Sequence, residues 1–120
     1  MHKLHVVSAF CAGLVLSAPA QAEDGNAAGY GLLSCSAANE RFVQPVFRTA
    51  FLGWAMGFMS GANMAMMSTV RSYRDLSNLN ADFVIGSLRS FCAENDAATV
   101  MHGVEQFYGS RPVRKWSPPP

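Results

Sequence analysis

The sequence predicts a small all-α domain, a bundle of three to four helices stapled by one disulfide. Three observations carry that expectation. Apolar residues recur at steps of three and four in successive stretches of the chain, the spacing of one face of a helix. No stretch alternates apolar and polar residues for long, and no tight turn joins two such runs, so a β fold is disfavoured. Two cysteines, Cys35 and Cys92, remain after a leader is removed.

The leader comes first. Lys3 supplies a positive charge, Val6 to Leu16 is an apolar run, and Ala18-Pro19-Ala20-Gln21-Ala22 offers small residues to a signal peptidase. This is the secretory pattern, with cleavage predicted after Ala22 and export to the periplasm or beyond. Phe10 before Cys11 argues against a lipoprotein site. Residues 23–31 are small, polar and glycine-rich, and read as a flexible lead-in. The helical domain is then assigned to 32–109 and a proline-rich, disordered tail to 110–120.

Within the domain, Leu32 to Phe42 is expected to hold a short helix around Cys35. Pro45 suits the first turn of a long helix, where its missing N–H would be unpaired in any case. That helix is predicted to run from Pro45 to Met66. Phe47, Phe51, Trp54, Phe58 and Ala62 form one stripe of it, and Ala50, Gly53, Gly57 and Gly61 a second. Glycines in a helix interior cost about 1 kcal/mol each against alanine. Gly53, Gly57 and Gly61 are therefore expected to let a neighbouring helix pack closely. Ser68 to Asn78 reads as a connector with Arg71, Arg74, Asp75 and Ser77 in water. Asn78 or Asn80 is expected to cap a second helix carrying Val84, Leu88, Phe91 and Cys92. Asp96 is expected to cap a third, with Val100, Val104, Phe107 and Tyr108 on one face and Gly109 as its stop.

Thr49 to Val70 contains 22 residues without a charge, and a bilayer span needs about 20 apolar residues. A single span there would put Cys35 and Cys92 on opposite sides of the membrane, so span and disulfide exclude each other. Gly53, Gly57, Ser60, Gly61, Asn63, Ser68 and Thr69 make the segment polar for a lipid-facing helix. The disulfide is preferred, and no stable membrane insertion is expected. Only one pairing is possible for two cysteines, and its loop of 57 residues is worth roughly 4 kcal/mol in the chain-entropy model.

Charge and motif content narrow the function. Without Lys3 the formal charge falls from +1 to 0, which leaves no footprint for nucleic acid. No phosphate loop, serine-hydrolase elbow or convergent catalytic set is visible, so no enzyme is expected and no cofactor or metal is assigned. His102 is the one histidine after the leader and reads as solvated. Glu94 and Asp96 read as helix boundaries. Met59, Met64, Met66 and Met67 join Phe47, Phe51, Trp54 and Phe58 as an adaptable apolar contact set for a protein client or partner, since methionine side chains conform to varied surfaces. A Cu(I) site built from the thioethers of Met64, Met66 and Met67 is the lesser alternative.

One family shares this skeleton. A cysteine near the mature N-terminus, a helix with Gly53-Trp54-Ala55-Met56-Gly57-Phe58, and a helix ending Ser90-Phe91-Cys92-Ala93-Glu94-Asn95-Asp96 resemble the HdeA/HdeB-type acid-stress chaperones of the bacterial periplasm. The resemblance covers Leu32 to Tyr108 and is carried by Cys35, Trp54, Gly57 and Cys92. It implies a disulfide joining the same two places, a homodimer, and acid-triggered holding of unfolded clients. Below about pH 3 the carboxylates of the exported chain would be mostly neutral, leaving a strongly positive molecule that strains a compact state. This chain is poorer in charge than that family. A similar skeleton occurs in Rap/Tai-type immunity proteins, which neutralise secreted toxins.

Overall fold

A computed structural model describes residues 29–120. The leader, its cleavage point and residues 23–28 of the lead-in lie outside the described residues. The fold is mainly helical: α1 (Cys35–Asn39), α2 (Pro45–Val70), α3 (Ala81–Glu94) and α4 (Val100–Ser110), with two short strands, β1 (Ser72–Arg74) and β2 (Val113–Lys115).

The last part of the expected lead-in is structured instead. Gly29–Leu32 forms a 3-10 turn. Tyr30 sets its ring edge-on to Phe47, centroids 5.4 Å apart. Gly31 lies directly under Trp54, and a Cβ there would also stand 2.9 Å from Met101 Cε. The segment is ordered because an aromatic ring has glycine to pack on, which composition alone does not reveal.

Local capping accounts for the helix starts. Pro45 opens α2. The Asn80 side chain accepts from Phe83 N–H at 2.8 Å and opens α3, as its sequence position suggests. Thr99, not Asp96, is the N-cap of α4, and His102 Nδ1 accepts the Thr99 N–H at 3.3 Å. The Asp96 region serves another purpose. Its backbone carbonyl accepts from Ser36 N–H, and the Ala98 carbonyl accepts from Cys35 N–H at 2.8 Å. These bonds seat the start of α1 on the α3–α4 loop.

Helix α2 continues four residues beyond Met66 to Val70. Nothing in Met67 to Val70 breaks a helix, and the Ser68 and Thr69 hydroxyls donate back to the Ala65 carbonyl. The helix stops at Arg71, whose φ of 53° is left-handed, the conformation that ends many helices. Gly109 does not stop α4, which runs on to Ser110.

The core gathers Cys35, Ala38 and Phe42, then Phe47, Phe51, Ala55 and Met59 of α2, and the inner faces of α3 and α4. Cys35 and Cys92 are bonded, Cα atoms 4.7 Å apart, so α1 is fixed to the end of α3. Asn39 Nδ2 adds a bond to the Cys92 carbonyl at 3.0 Å. No helix among the described residues is long and apolar enough to cross a membrane: α2 has the length, but its glycine, serine, asparagine and threonine residues dilute it.

The expected close packing on the glycine row is overturned. Gly53, Gly57 and Gly61 are exposed, and a Cβ on any of them would meet nothing within 4 Å. The buried line Phe47, Phe51, Ala55 and Met59 faces inward, and at about 100° per residue the glycine stripe lies roughly 140° round the helix from its centre. The tight glycine of the bundle is Gly103, where a Cβ would stand 2.8 Å from Phe91 and 3.2 Å from Leu88.

Candidate functional site

Two surfaces merit the name, and both are built on α2. The first is the helix itself, read around its circumference. On its inner side Phe47 and Phe51 stack at 5.8 Å, Phe51 leans on Trp54 at 6.0 Å, and Trp54 stacks on Phe58 at 5.6 Å. The stripe expected to contact clients is thus brought together as a ladder, but much of it is core. Phe47, Phe51 and Met59 are buried, while Trp54 and Phe58 are partly buried. A stripe of large apolar residues at helical spacing is what the interior of a small bundle consumes first.

The methionines divide. Met59 is core, Met66 and Met67 are partly buried, and Met64 is 65% exposed. Met66 Sδ lies 3.1 Å from the Tyr108 hydroxyl oxygen. At about 100° per residue, Met64 and Met66 project from nearly opposite sides of the helix. Three convergent thioethers for Cu(I) are not formed here.

On the outer side of α2, Val46 (83% exposed), Ala50, Gly53, Gly57, Gly61 and Met64 share one face. It carries no charge and nothing covers it among the described residues. Its centre is small and its two ends are larger, which makes a shallow trough along the helix.

The second surface lies past the C-terminal end of α2, in the segment expected to be a water-facing connector and the segment expected to be a disordered tail. Each segment contributes one short strand instead of being wholly irregular. Strands β1 and β2 pair antiparallel, Ser72 opposite Lys115, Tyr73 opposite Arg114 and Arg74 opposite Val113. Asn63, the odd polar residue in the middle of α2, holds this ribbon to the bundle. Its side chain accepts from Arg74 N–H at 2.8 Å and donates to the Arg74 carbonyl at 2.8 Å. It also accepts the Tyr108 hydroxyl at 2.7 Å.

Arginines complete the clamp, largely through neutral acceptors. Arg74 Nη1 donates to the carbonyls of Gly109 and Arg111 at 2.7 and 2.9 Å and its guanidinium lies 5.6 Å from the Tyr108 ring centroid. Arg111 Nε donates to the Asp75 carbonyl at 2.9 Å. Trp116 N–H donates to the Arg71 carbonyl at 2.9 Å, and the Arg71 guanidinium covers the Trp116 ring at 5.5 Å. Burial pushes the Tyr108 hydroxyl above its ordinary range, against the opposing pull of Arg74.

Asp75 is the carboxylate of the clamp. The Ser77 hydroxyl and N–H donate to it, and Arg114 bonds its other oxygen at 3.1 Å. These partners hold its carboxyl down at about 2. A lowered folded-state value means stability that is present above the unfolded value near 4 and is lost as pH falls through about 2. The clamp is therefore expected to loosen between about pH 4 and pH 2. The fluorescence difference between the parent and Trp116→Phe, followed through acid, should show this step. Asp75→Asn should remove it; a step that survives in that variant would place the acid event elsewhere.

From sequence Arg71, Arg74 and Asp75 read only as solvated connector residues and Tyr108 only as part of an apolar face, while Gly31 and Gly103 carry no pattern. Asn63 had a signal, a lone amide in an uncharged helix. The strand pairing has none, since three-residue strands are too short for an alternating pattern, although Trp116 beside Arg111, Arg114 and Lys115 stands out in the tail. Among the described residues there is no buried polar or charged side chain, and no group of three His, Cys, Asp or Glu residues is placed to share a metal ion.

Comparison with known proteins returned no match: no family model fits the chain, and no curated protein and no solved structure is significantly similar to it.

Proposed function

We propose that the protein is an exported, non-enzymatic binding protein that holds apolar segments of other proteins in a chaperone-like way. The observation that carries this reading is the outer face of α2. A long helix with an uncovered, uncharged face of Val46, Ala50, Gly53, Gly57, Gly61 and Met64 suits an extended or helical apolar segment laid along it. The contact set of the folded state is thus this outer face with Met64, rather than the inward aromatic stripe. Acid adds to it. Loss of the Asp75 clamp frees the end of α2, which has no buried residue beyond Met59. The Cys35–Cys92 bond survives acid and would keep α1 and α3 together while α2 works. Export is supported by that disulfide, which belongs to oxidising compartments, and by the leader pattern. The likeness to HdeA/HdeB-type chaperones points the same way.

The test uses the open space at Gly57. Gly57→Lys should leave the thermal midpoint equal or higher, because the side chain meets nothing and lysine favours helix over glycine. It should nevertheless abolish suppression of client aggregation, since a charge then stands in the trough. A parent protein that suppresses no aggregation anywhere between strong acid and neutrality removes the reading.

A second reading has one observation in its favour: the face is already open in the folded state, with no acid needed. It would then seat one dedicated partner, as an immunity protein seats a toxin, or a second copy of the chain. Recovery of a stoichiometric complex from the native envelope at neutral pH, lost in Gly57→Lys, would favour that reading over client holding.

A further inference from the structure

The fold concentrates charge that is dispersed in the sequence. Eight basic residues lie among the described residues, and five of them, Arg71, Arg74, Arg111, Arg114 and Lys115, belong to the ribbon and its approaches. Asp75 is the one acid within 71–77 and 109–116. Most of the remaining acids sit elsewhere. Glu40 follows α1, Glu94 and Asp96 follow Cys92 in the chain, Glu105 lies on α4, and Asp82 pairs with Arg48 at 3.0 Å near the start of α2. Arg48 and Arg71 are separated by roughly 35 Å of helix at 1.5 Å per residue. The result is a basic pole at one end of a long molecule.

Two features of the pole bear on what it meets. Arg74 and Arg111 donate to backbone carbonyls, so their charges are positioned without being neutralised. A clamp needing only mechanical strength would gain more from a carboxylate for each arginine. Apolar groups also stand among the cations: Val70 is 62% exposed, Val113 is 55% exposed, and Trp116 is partly exposed beneath Arg71. Cations interleaved with an indole and aliphatic side chains match the headgroup layer of an anionic bilayer, where charge meets phosphate and the indole enters the interface. A nucleic acid would use the cations but offers the exposed valines no apolar layer.

We propose that this basic, tryptophan-bearing ribbon seats the protein peripherally on an anionic phospholipid surface. The site is separate from the client face: Gly57 lies about 20 Å along α2 from Arg71, so the trough stays accessible with the pole docked. The inference does not depend on the client-holding reading.

The experiment is co-flotation of the disulfide-bonded protein, isolated from cells expressing the full sequence, with vesicles of phosphatidylglycerol and phosphatidylcholine in equal parts, against pure phosphatidylcholine. The protein should float with the anionic vesicles only, and salt should weaken the association. Each surface cation contributes roughly fivefold to partitioning, so Arg71→Gln/Lys115→Gln should lower it about 25-fold. Lys115→Gln alone, at an exposed side chain with no bonded partner in the ribbon, should lower it about fivefold and guards against misfolding of the double variant. Arg41→Gln/Arg89→Gln, away from the pole, should leave it unchanged. Equal flotation with both vesicles, equal losses in the two double variants, or an oligonucleotide that binds the same pole more tightly than the anionic vesicles would overturn the proposal.

Discussion

Replacing Cys35 and Cys92 together by serine is expected to destabilise the protein by about 4 kcal/mol, a large fraction of the roughly 5–15 kcal/mol net stability of a small domain. The reason lies in α1. A five-residue helix has no independent stability, yet it carries Ala38 and leads to Phe42, both fully buried. Phe42 in turn sets its ring edge-on to Phe51 at 5.6 Å. Without the sulfur link, residues 29–42 are held by backbone bonds to the α3–α4 loop and by the Asn39 bond to Cys92. The ends of that loop of chain become free to separate in the unfolded state, and the aromatic ladder loses its lid when they do. Urea unfolding should show the midpoint collapse in the double variant, with the same fall when the parent is reduced. A midpoint that stays within error of the parent would mean the packing of Phe42 and Tyr30 suffices alone.

The opposite sign is expected on the glycine row. Gly53→Ala/Gly57→Ala/Gly61→Ala should stabilise the folded protein by roughly 2–3 kcal/mol, the sum of three helix-interior replacements at about 0.8–1 kcal/mol each. Each Cβ enters open space, so no clash offsets the gain, and part of it comes from restricting the unfolded chain. Thermal unfolding at low protein concentration is the measurement. A lower midpoint would mean that another surface covers the row in solution. The same variant separates stability from activity. If a partner approaches the α2 backbone closely, three added methyl groups weaken its binding while the protein itself becomes more robust.

Sequence pattern conveyed the helices well and their surroundings badly, for identifiable reasons. The steps from Phe47 to Phe58 and from Val84 to Cys92 mark helices because a helix buries one side; the buried line of α2 then runs on through Ala55 and Met59, leaving Trp54 and Phe58 partly buried. Asn80 announces a helix start by a side chain that reaches its own backbone, a local event. Which of the two α2 stripes would lack a neighbour is a tertiary matter. Gly53, Gly57 and Gly61 carry the spacing of a packing groove, but only the number and placement of the other helices decides whether anything enters it. The converse holds for Gly31 and Gly103, single glycines without pattern that sit hard against Trp54 and Phe91. The second surface was hidden more deeply. Tyr73 and Arg114 are far apart in the chain and meet in a strand pair too short to show periodicity. Arg74 reads as a solvated cation until its carbonyl acceptors are known. The candidate contact residues followed the same rule, since exposure of Met64 and burial of Met59 distinguish two methionines that composition treats alike.

The β1–β2 pairing also orders events during biogenesis. Strand β2 follows α4 in the chain, so Ser72, Tyr73 and Arg74 lack their strand partners until all four helices have been synthesised, with Asn63 alone holding Arg74. A polypeptide emerging N-terminus first can close its sulfur bridge, and even assemble its bundle, well before that final zipper forms. Premature termination just after Ser110 would therefore release a molecule with an intact bridge and a frayed end to its longest helix, a species that a protease cutting near Val70 should recognise while sparing the finished protein.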